Sequence, residues 1–129
     1  MISFDVVLAD AGNFVKERVI MTATADVDIA YFSLFCCTAS AEDEVAAGDI
    51  PRVFWFEERK MKKGDLAVLY TKQGTTSEKK NKNGSTSTFY YWGLKGVLWT
   101  PQRRPVLVST PEYKFGEFID EEMTTAERA

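Results

Sequence analysis

The chain has 129 residues and a net charge of -3, and its 45% hydrophobic and 27% charged content is that of one globular domain, which excludes wholesale disorder. It contains no histidine, which excludes His-based acid–base catalysis, Ser–His or Cys–His nucleophile pairs and every His-ligated metal site. No run of about 18 apolar residues exists, so no membrane-spanning helix and no membrane insertion are expected.

In chain order the dominant period is two, the signature of strands with one face inward. Ile2, Phe4, Val6 and Leu8 alternate with Ser3, Asp5, Val7 and Ala9. After the turn signal Ala11-Gly12-Asn13, Val19, Met21 and Ala23 alternate with Arg18, Ile20 and Thr22. A third alternation runs from Val27 to Leu34. Ser40 as an N-cap, acids in the following turn and Gly48 as a stop predict at most one short helix, near residues 40–47. Further strands are predicted at Arg52–Glu57, Leu66–Lys72, Thr88–Leu94, Val97–Thr100 and Val106–Thr110, with a last short one at Phe118-Ile119. The punctuation between them is Lys63-Gly64-Asp65, Asn83-Gly84-Ser85 and Pro101 to Pro105. Lys72 to Thr88 has no apolar anchor and reads as a long loop, either a floppy hairpin tip or a contact loop that orders on a partner. The fold class expected is all-β: an antiparallel two-sheet sandwich of roughly seven to nine strands, one domain over residues 1–120, with a polar tail at 121–129 that frays.

The two cysteines, Cys36 and Cys37, are adjacent, so on a strand they point to opposite faces and are poorly placed to bond to each other. One buried and one half-exposed thiol are expected. Met1 to Asp5 shows no basic region or long apolar stretch. With neither a signal peptide nor a disulfide framework, a cytoplasmic protein is expected.

Charge is segregated along the chain. Residues 1–50 carry 2 basic and 9 acidic groups, residues 51–104 carry 12 and 4, and residues 105–129 carry 2 and 6. Within the basic middle, Arg59, Lys60, Lys62 and Lys63 form one cluster, Lys79, Lys80 and Lys82 a second, and Arg103 with Arg104 a third. If these clusters share one end of the fold they form a positive patch for phosphate backbones, acidic lipid or an acidic protein surface, and a further option is self-association, the acidic segments of one copy meeting the basic centre of another. The plainer alternative is that acidic and basic strands lie side by side and balance locally.

Two aromatic runs, Phe54-Trp55-Phe56 and Phe89-Tyr90-Tyr91-Trp92, exceed what one face of a strand can bury. Their outward members need cover from a loop, a second copy or a ligand. No GxGxxG, GxxxxGK[ST] or GxSxG motif occurs, and the acidic groups Asp26-Val27-Asp28 and Glu42-Asp43-Glu44 lack the spacing of a calcium loop. No enzymatic activity, no cofactor and no metal site are expected.

Three stretches taken together resemble a known family: Ala25 to Leu34, Pro51 to Phe56 leading into Met61 to Thr71, and Phe89 to Leu94 ending at Trp99. An acidic-apolar element, an aromatic strand, a Gly-Asp turn with its strand and a late Trp-containing segment, spread over about residues 17–110, are similar to the lamin-tail domain. The resemblance implies an immunoglobulin-like β-sandwich used as a binding or attachment module, with no catalytic residues. The expected function is therefore a non-catalytic binding or assembly module, self-associating through its segregated acidic and basic surfaces or binding a protein partner. Its candidate contact residues are Lys79, Lys80, Lys82, Arg103, Arg104, Arg59, Lys60, Phe54, Phe56 and Tyr90. The alternatives are a small protein that binds or sequesters an anionic, nucleotide-type ligand, and a weak nucleic-acid binder.

Overall fold

The computed structural model describes residues 2–38 and 51–119. Ten strands occupy them: β1 (Phe4–Ala9), β2 (Arg18–Ala23), β3 (Val27–Asp28), β4 (Phe32–Thr38), β5 (Arg52–Trp55), β6 (Lys60–Met61), β7 (Leu66–Tyr70), β8 (Ser77–Lys80), β9 (Thr86–Tyr91) and β10 (Arg103–Ser109). A five-stranded sheet has the order β1-β2-β7-β9-β8, and a three-stranded sheet has the order β10-β4-β5. Strands β3 and β6 form a small two-stranded ribbon. This is the all-β layered fold that the alternation implies.

The buried residues form one core between the layers. Val19, Met21 and Ala23 of β2, Ala67 and Leu69 of β7, Phe4 of β1 and Tyr90 of β9 face Phe32, Leu34 and Cys36 of β4. Full burial of a side chain such as Leu34 contributes roughly 1.5–3 kcal/mol. The rings of Phe4 and Phe32 meet edge to face at 5.1 Å and join the two sheets. Trp99, only 1% exposed, comes from the connection before β10 and packs against Trp92 at 6.3 Å.

Several details differ from the sequence reading. The sheets are antiparallel except for β7 and β9, which pair in parallel. The cause lies in Lys72–Thr88, which folds as an ordered hairpin instead of a loop. The chain leaves β7, crosses the end of β9, returns as β8 on the far side, and β9 then runs back between them. Gly74 marks the crossing: a Cβ there would lie under 3.0 Å from three ring carbons of Tyr91. Only a residue without a side chain lets the backbone pass so close.

The predicted strand Val27–Leu34 is broken by a 3-10 turn at Ile29–Tyr31. Asp28 causes the break, because its Oδ1 accepts hydrogen bonds from the N–H of Ala30 at 2.9 Å and of Arg59 at 3.0 Å. Val97–Thr100 is a connection, and Phe118-Ile119 is not a strand. Strand β10 begins at Arg103, inside the stretch read as a turn. Pro105 is tolerated there because β10 is an edge strand. Both cysteines are buried, Cys37 included, at 2% exposure. The helix predicted near residues 40–47 and the tail 121–129 lie outside the described residues.

The turn at Lys63-Gly64-Asp65 forms as its composition predicts. Gly64 has φ +94°, and the Asp65 N–H donates to the Lys62 carbonyl at 2.9 Å. Asp65 also accepts at Oδ2 from Lys62 N–H and at Oδ1 from Thr86 N–H, both at 2.9 Å, which anchors the start of β9 to the corner before β7.

Candidate functional site

The predicted contact residues fall into three separate places. Lys79 and Lys80 lie on the exposed edge strand β8, with Lys82 in the turn that follows. Arg59 and Lys60 share this flank, since Arg59 is ion-paired with Glu78 of β8. Glu58, Asp65 and Glu78 line the same concavity, so the charges of this flank are mixed. Arg103 and Arg104 lie on β10, which approaches β1, whereas Phe54 of β5 lies over Tyr90 of β9. The two basic groups are therefore on opposite flanks of the sandwich. The third place is the core: Phe56 and Tyr90 are 3% and 7% exposed, and the half-buried Phe54 packs on both. These three aromatics hold the layers together and are not surface contacts. Residue parity explains it, because Phe54 and Leu34 are register partners and both face inward.

The outward residues of the same strand are Val53 and Trp55, 48% and 47% exposed on the outer face of the three-stranded sheet. Trp55 is held by its Nε1, which donates to the Ala30 carbonyl at 3.3 Å. After β10, Thr110 donates through its N–H to the Tyr31 carbonyl at 2.6 Å, so the chain crosses the start of β4. It then brings the Tyr113 ring edge-on to Trp55 at 4.7 Å. A groove of about 430 Å³ lies between Ala30, Trp55, Phe56, Glu58, Tyr113 and Phe115. Beyond Tyr113, Phe115 is 80%, Phe118 95% and Ile119 79% exposed.

A larger cavity, about 610 Å³, opens at the end of the sandwich where Cys36 and Thr38 close β4. Arg52 is opposite Cys36 on β5, and Arg103 is opposite Thr38 on β10. Both share the parity of the core-facing residues Leu34 and Phe54, so they lie on the inner side of the three-stranded sheet, at its open end, and line the cavity. The connection from Gly93 to Leu98 forms the opposite wall and contributes Lys95. Arg103 is fixed by an Nη1 bond to the Leu98 carbonyl at 3.1 Å. Among the described residues the lining holds three cationic side chains and no carboxylate. Only Arg103 of this set was legible in the sequence, because Arg52 and Lys95 are isolated charges without a cluster around them.

Sequence reasoning also missed Glu17, which is 0% exposed. Its Oε2 accepts from the Thr71 hydroxyl at 2.6 Å, the Leu98 N–H at 2.9 Å and the Trp99 N–H at 3.4 Å, and its Oε1 accepts from the Gly12 N–H at 3.0 Å. Among the described residues the partners of this carboxylate are a hydroxyl and main-chain N–H groups of three connections, which it clasps together.

Burial pushes the Cys36 thiol up to about 11, and the nearby Arg103 charge only partly offsets this, so the group is poorly suited to thiolate chemistry. Among the described residues no group of three His, Cys, Asp or Glu side chains is placed to hold a metal ion, and no helix is long and apolar enough to cross a membrane. The chain matches no known family model, and no curated protein or solved structure is significantly similar to it.

Proposed function

We propose that this domain is a non-catalytic assembly module that self-associates through residues 111–119. The observation that carries the reading is the exposure of Tyr113, Phe115, Phe118 and Ile119, from 65% to 95%, in one extended stretch. Four large apolar side chains within seven residues seldom stay in water on a monomer. The chain's own outer sheet face already accepts the first of them, where Tyr113 meets Trp55. The others lie beyond that contact.

A second copy supplies what they lack. The groove beside Trp55 and the edge of β5 are present on every copy, so an exchange of segments buries both surfaces twice. The sheet edges support this choice. Edge strand β8 carries Glu78, Lys79 and Lys80, and edge strand β10 carries Arg103, Arg104 and Pro105, all of which discourage added strands. Edge strand β5, beside the groove, carries Val53, Phe54 and Trp55 after a single Arg52, which leaves it less guarded than β8 or β10. An attachment role is also what the resemblance to the lamin-tail domain implies.

Light scattering during size-exclusion chromatography tests the reading. The chain is expected to dimerise with little change between low and high salt. Phe115→Ser combined with Phe118→Ser is expected to weaken the dimer at least about tenfold, from the loss of two buried rings. A monomer at every concentration overturns the reading. Dissociation by salt alone, with the double variant unaffected, would instead place the contact in the segregated charges.

A further inference from the structure

We propose that the cavity bounded by Arg52, Lys95 and Arg103 binds a small phosphorylated organic anion. The inference does not depend on self-association, since none of the lining residues belongs to the 111–119 segment.

Three strands of reasoning converge on it. First, three separate elements, β5, the Gly93–Leu98 connection and β10, each bring one cation to the same concavity. Among the described residues no acid faces them there. Like charges gathered in a concave, partly desolvated site repel one another, and a bound multivalent anion relieves that repulsion. The contrast with the β8 flank is direct, because there Arg59 is already ion-paired with Glu78.

Second, the donors suit a phosphate. Arg103 is held by an Nη1 bond to the Leu98 carbonyl, which orients its fork, and among the described residues the other N–H groups of that fork have no hydrogen-bond partner. Among the described residues, the N–H groups of Lys95, Gly96 and Val97 donate to no backbone carbonyl, whereas those of Gly93 and Leu94 donate to Lys72 and Thr71. In the proposal these three successive amides, in a connection that bends at Gly93, φ +77°, supply neutral donors beside the three charges.

Third, the remaining lining is apolar: Pro51, Leu94, Val97 and Leu98. A bare inorganic ion would leave that wall in water. A cavity of about 610 Å³ is within the size range of small-molecule sites, so the occupant is a phosphate ester with a compact organic body.

Isothermal titration with AMP, ATP, pyrophosphate and adenosine tests the proposal. AMP or ATP is expected to bind saturably and more tightly than pyrophosphate, with no binding by adenosine. Lys95→Glu and Arg52→Glu, both at the cavity mouth, are each expected to lower the affinity at least about tenfold through the loss of a charge-assisted contact. Lys79→Glu and Lys82→Glu, on the other flank, are expected to leave it unchanged. Arg103 is left intact because it also holds Leu98. Unchanged thermal unfolding of each variant shows that the fold survives. No saturable binding by any phosphate probe at millimolar concentration overturns the proposal, as does an equal loss from the Lys79 and Lys82 variants, which would show non-specific charge attraction.

Discussion

The Glu17 carboxylate and the Thr71 hydroxyl meet at 2.6 Å with both side chains fully buried, although 54 positions separate them in the chain. A buried carboxylate is costly unless every lone pair is used, and here the remaining capacity goes to main-chain N–H groups of Gly12, Leu98 and Trp99. Glu17→Ala removes the acceptor and leaves four donors without it, so a loss of about 3 kcal/mol or more in urea unfolding is expected. Glu17→Gln retains one acceptor but turns an amide towards an N–H group, and about half that loss is expected. An alanine variant as stable as the wild type would show that the clasp is unimportant.

Gly74 and Tyr91 form a second long-range contact with a sharp prediction. A methyl group at residue 74 would collide with a ring that is already stacked on Tyr70 at 5.4 Å. Gly74→Ala is expected to destabilise by roughly 1–3 kcal/mol. Tyr91→Ala in the same chain relieves the clash, so the double variant should lose less than the two single losses combined. Strict additivity in denaturant melts would refute the crossing geometry.

Cys36 sets a limit at alkaline pH. Its neutral thiol is the form the folded state favours, since burial raises its pKa from 9.0 to about 11. That contribution is fully present below pH 9 and is lost as pH rises towards 11, which corresponds to roughly 3 kcal/mol at most. Neither cysteine should react with a thiol reagent at pH 8 until the chain unfolds. Rapid labelling of the folded protein would contradict the burial of both residues.

Asp65 works in the opposite direction. Burial alone would raise its pKa, but the N–H groups of Lys62 and Thr86 and the charges of Lys80 and Lys62 outweigh that and hold it below the ordinary carboxylate value. The ionised form is therefore favoured in the folded state. Its contribution is present above the ordinary carboxylate pKa and is lost as pH falls through the lowered value. Asp65→Asn is expected to lower stability at pH 7 and to flatten the acid limb of the stability–pH curve, as read by thermal unfolding from pH 7 to pH 2. An unchanged acid limb would show that the carboxylate does not anchor β9.

Tyr90 carries a buried hydroxyl with no hydrogen-bond partner among the described residues. Its ring packs against Phe54 and Phe56, so the aromatic body is what the core uses. Tyr90→Phe should leave stability unchanged or raise it by about 1 kcal/mol, because an unpaired polar atom is removed without altering the packing. A clear loss in denaturant melts would reveal a partner for the hydroxyl.

Much of the layer structure was legible in the sequence. Strand β2 was read from Arg18 to Ala23, the bounds it has in the fold, because one face is apolar at every second position and a strand offers only two faces. The turn at Gly64 was legible because a positive φ favours a residue without a side chain. The hairpin of β8 was not legible. Its Ser-Glu-Lys-Lys is exposed on both faces and is a strand only because β9 offers it a partner.

The site followed the same division. Alternation established that Phe54-Trp55-Phe56 would divide between core and surface, but only the register with β4 decided that Phe54 turns inward and Trp55 outward. Local chemistry marked Lys79, Lys80 and Lys82 as a cluster, yet the strand order separated them from Arg103 and brought Arg52 and Lys95 to it instead. Periodicity and turn propensity act over a few residues and are written in the chain. Register, strand order and the pairing of a buried carboxylate with a hydroxyl 54 positions away depend on which distant segments meet, and packing of the whole domain selects those meetings.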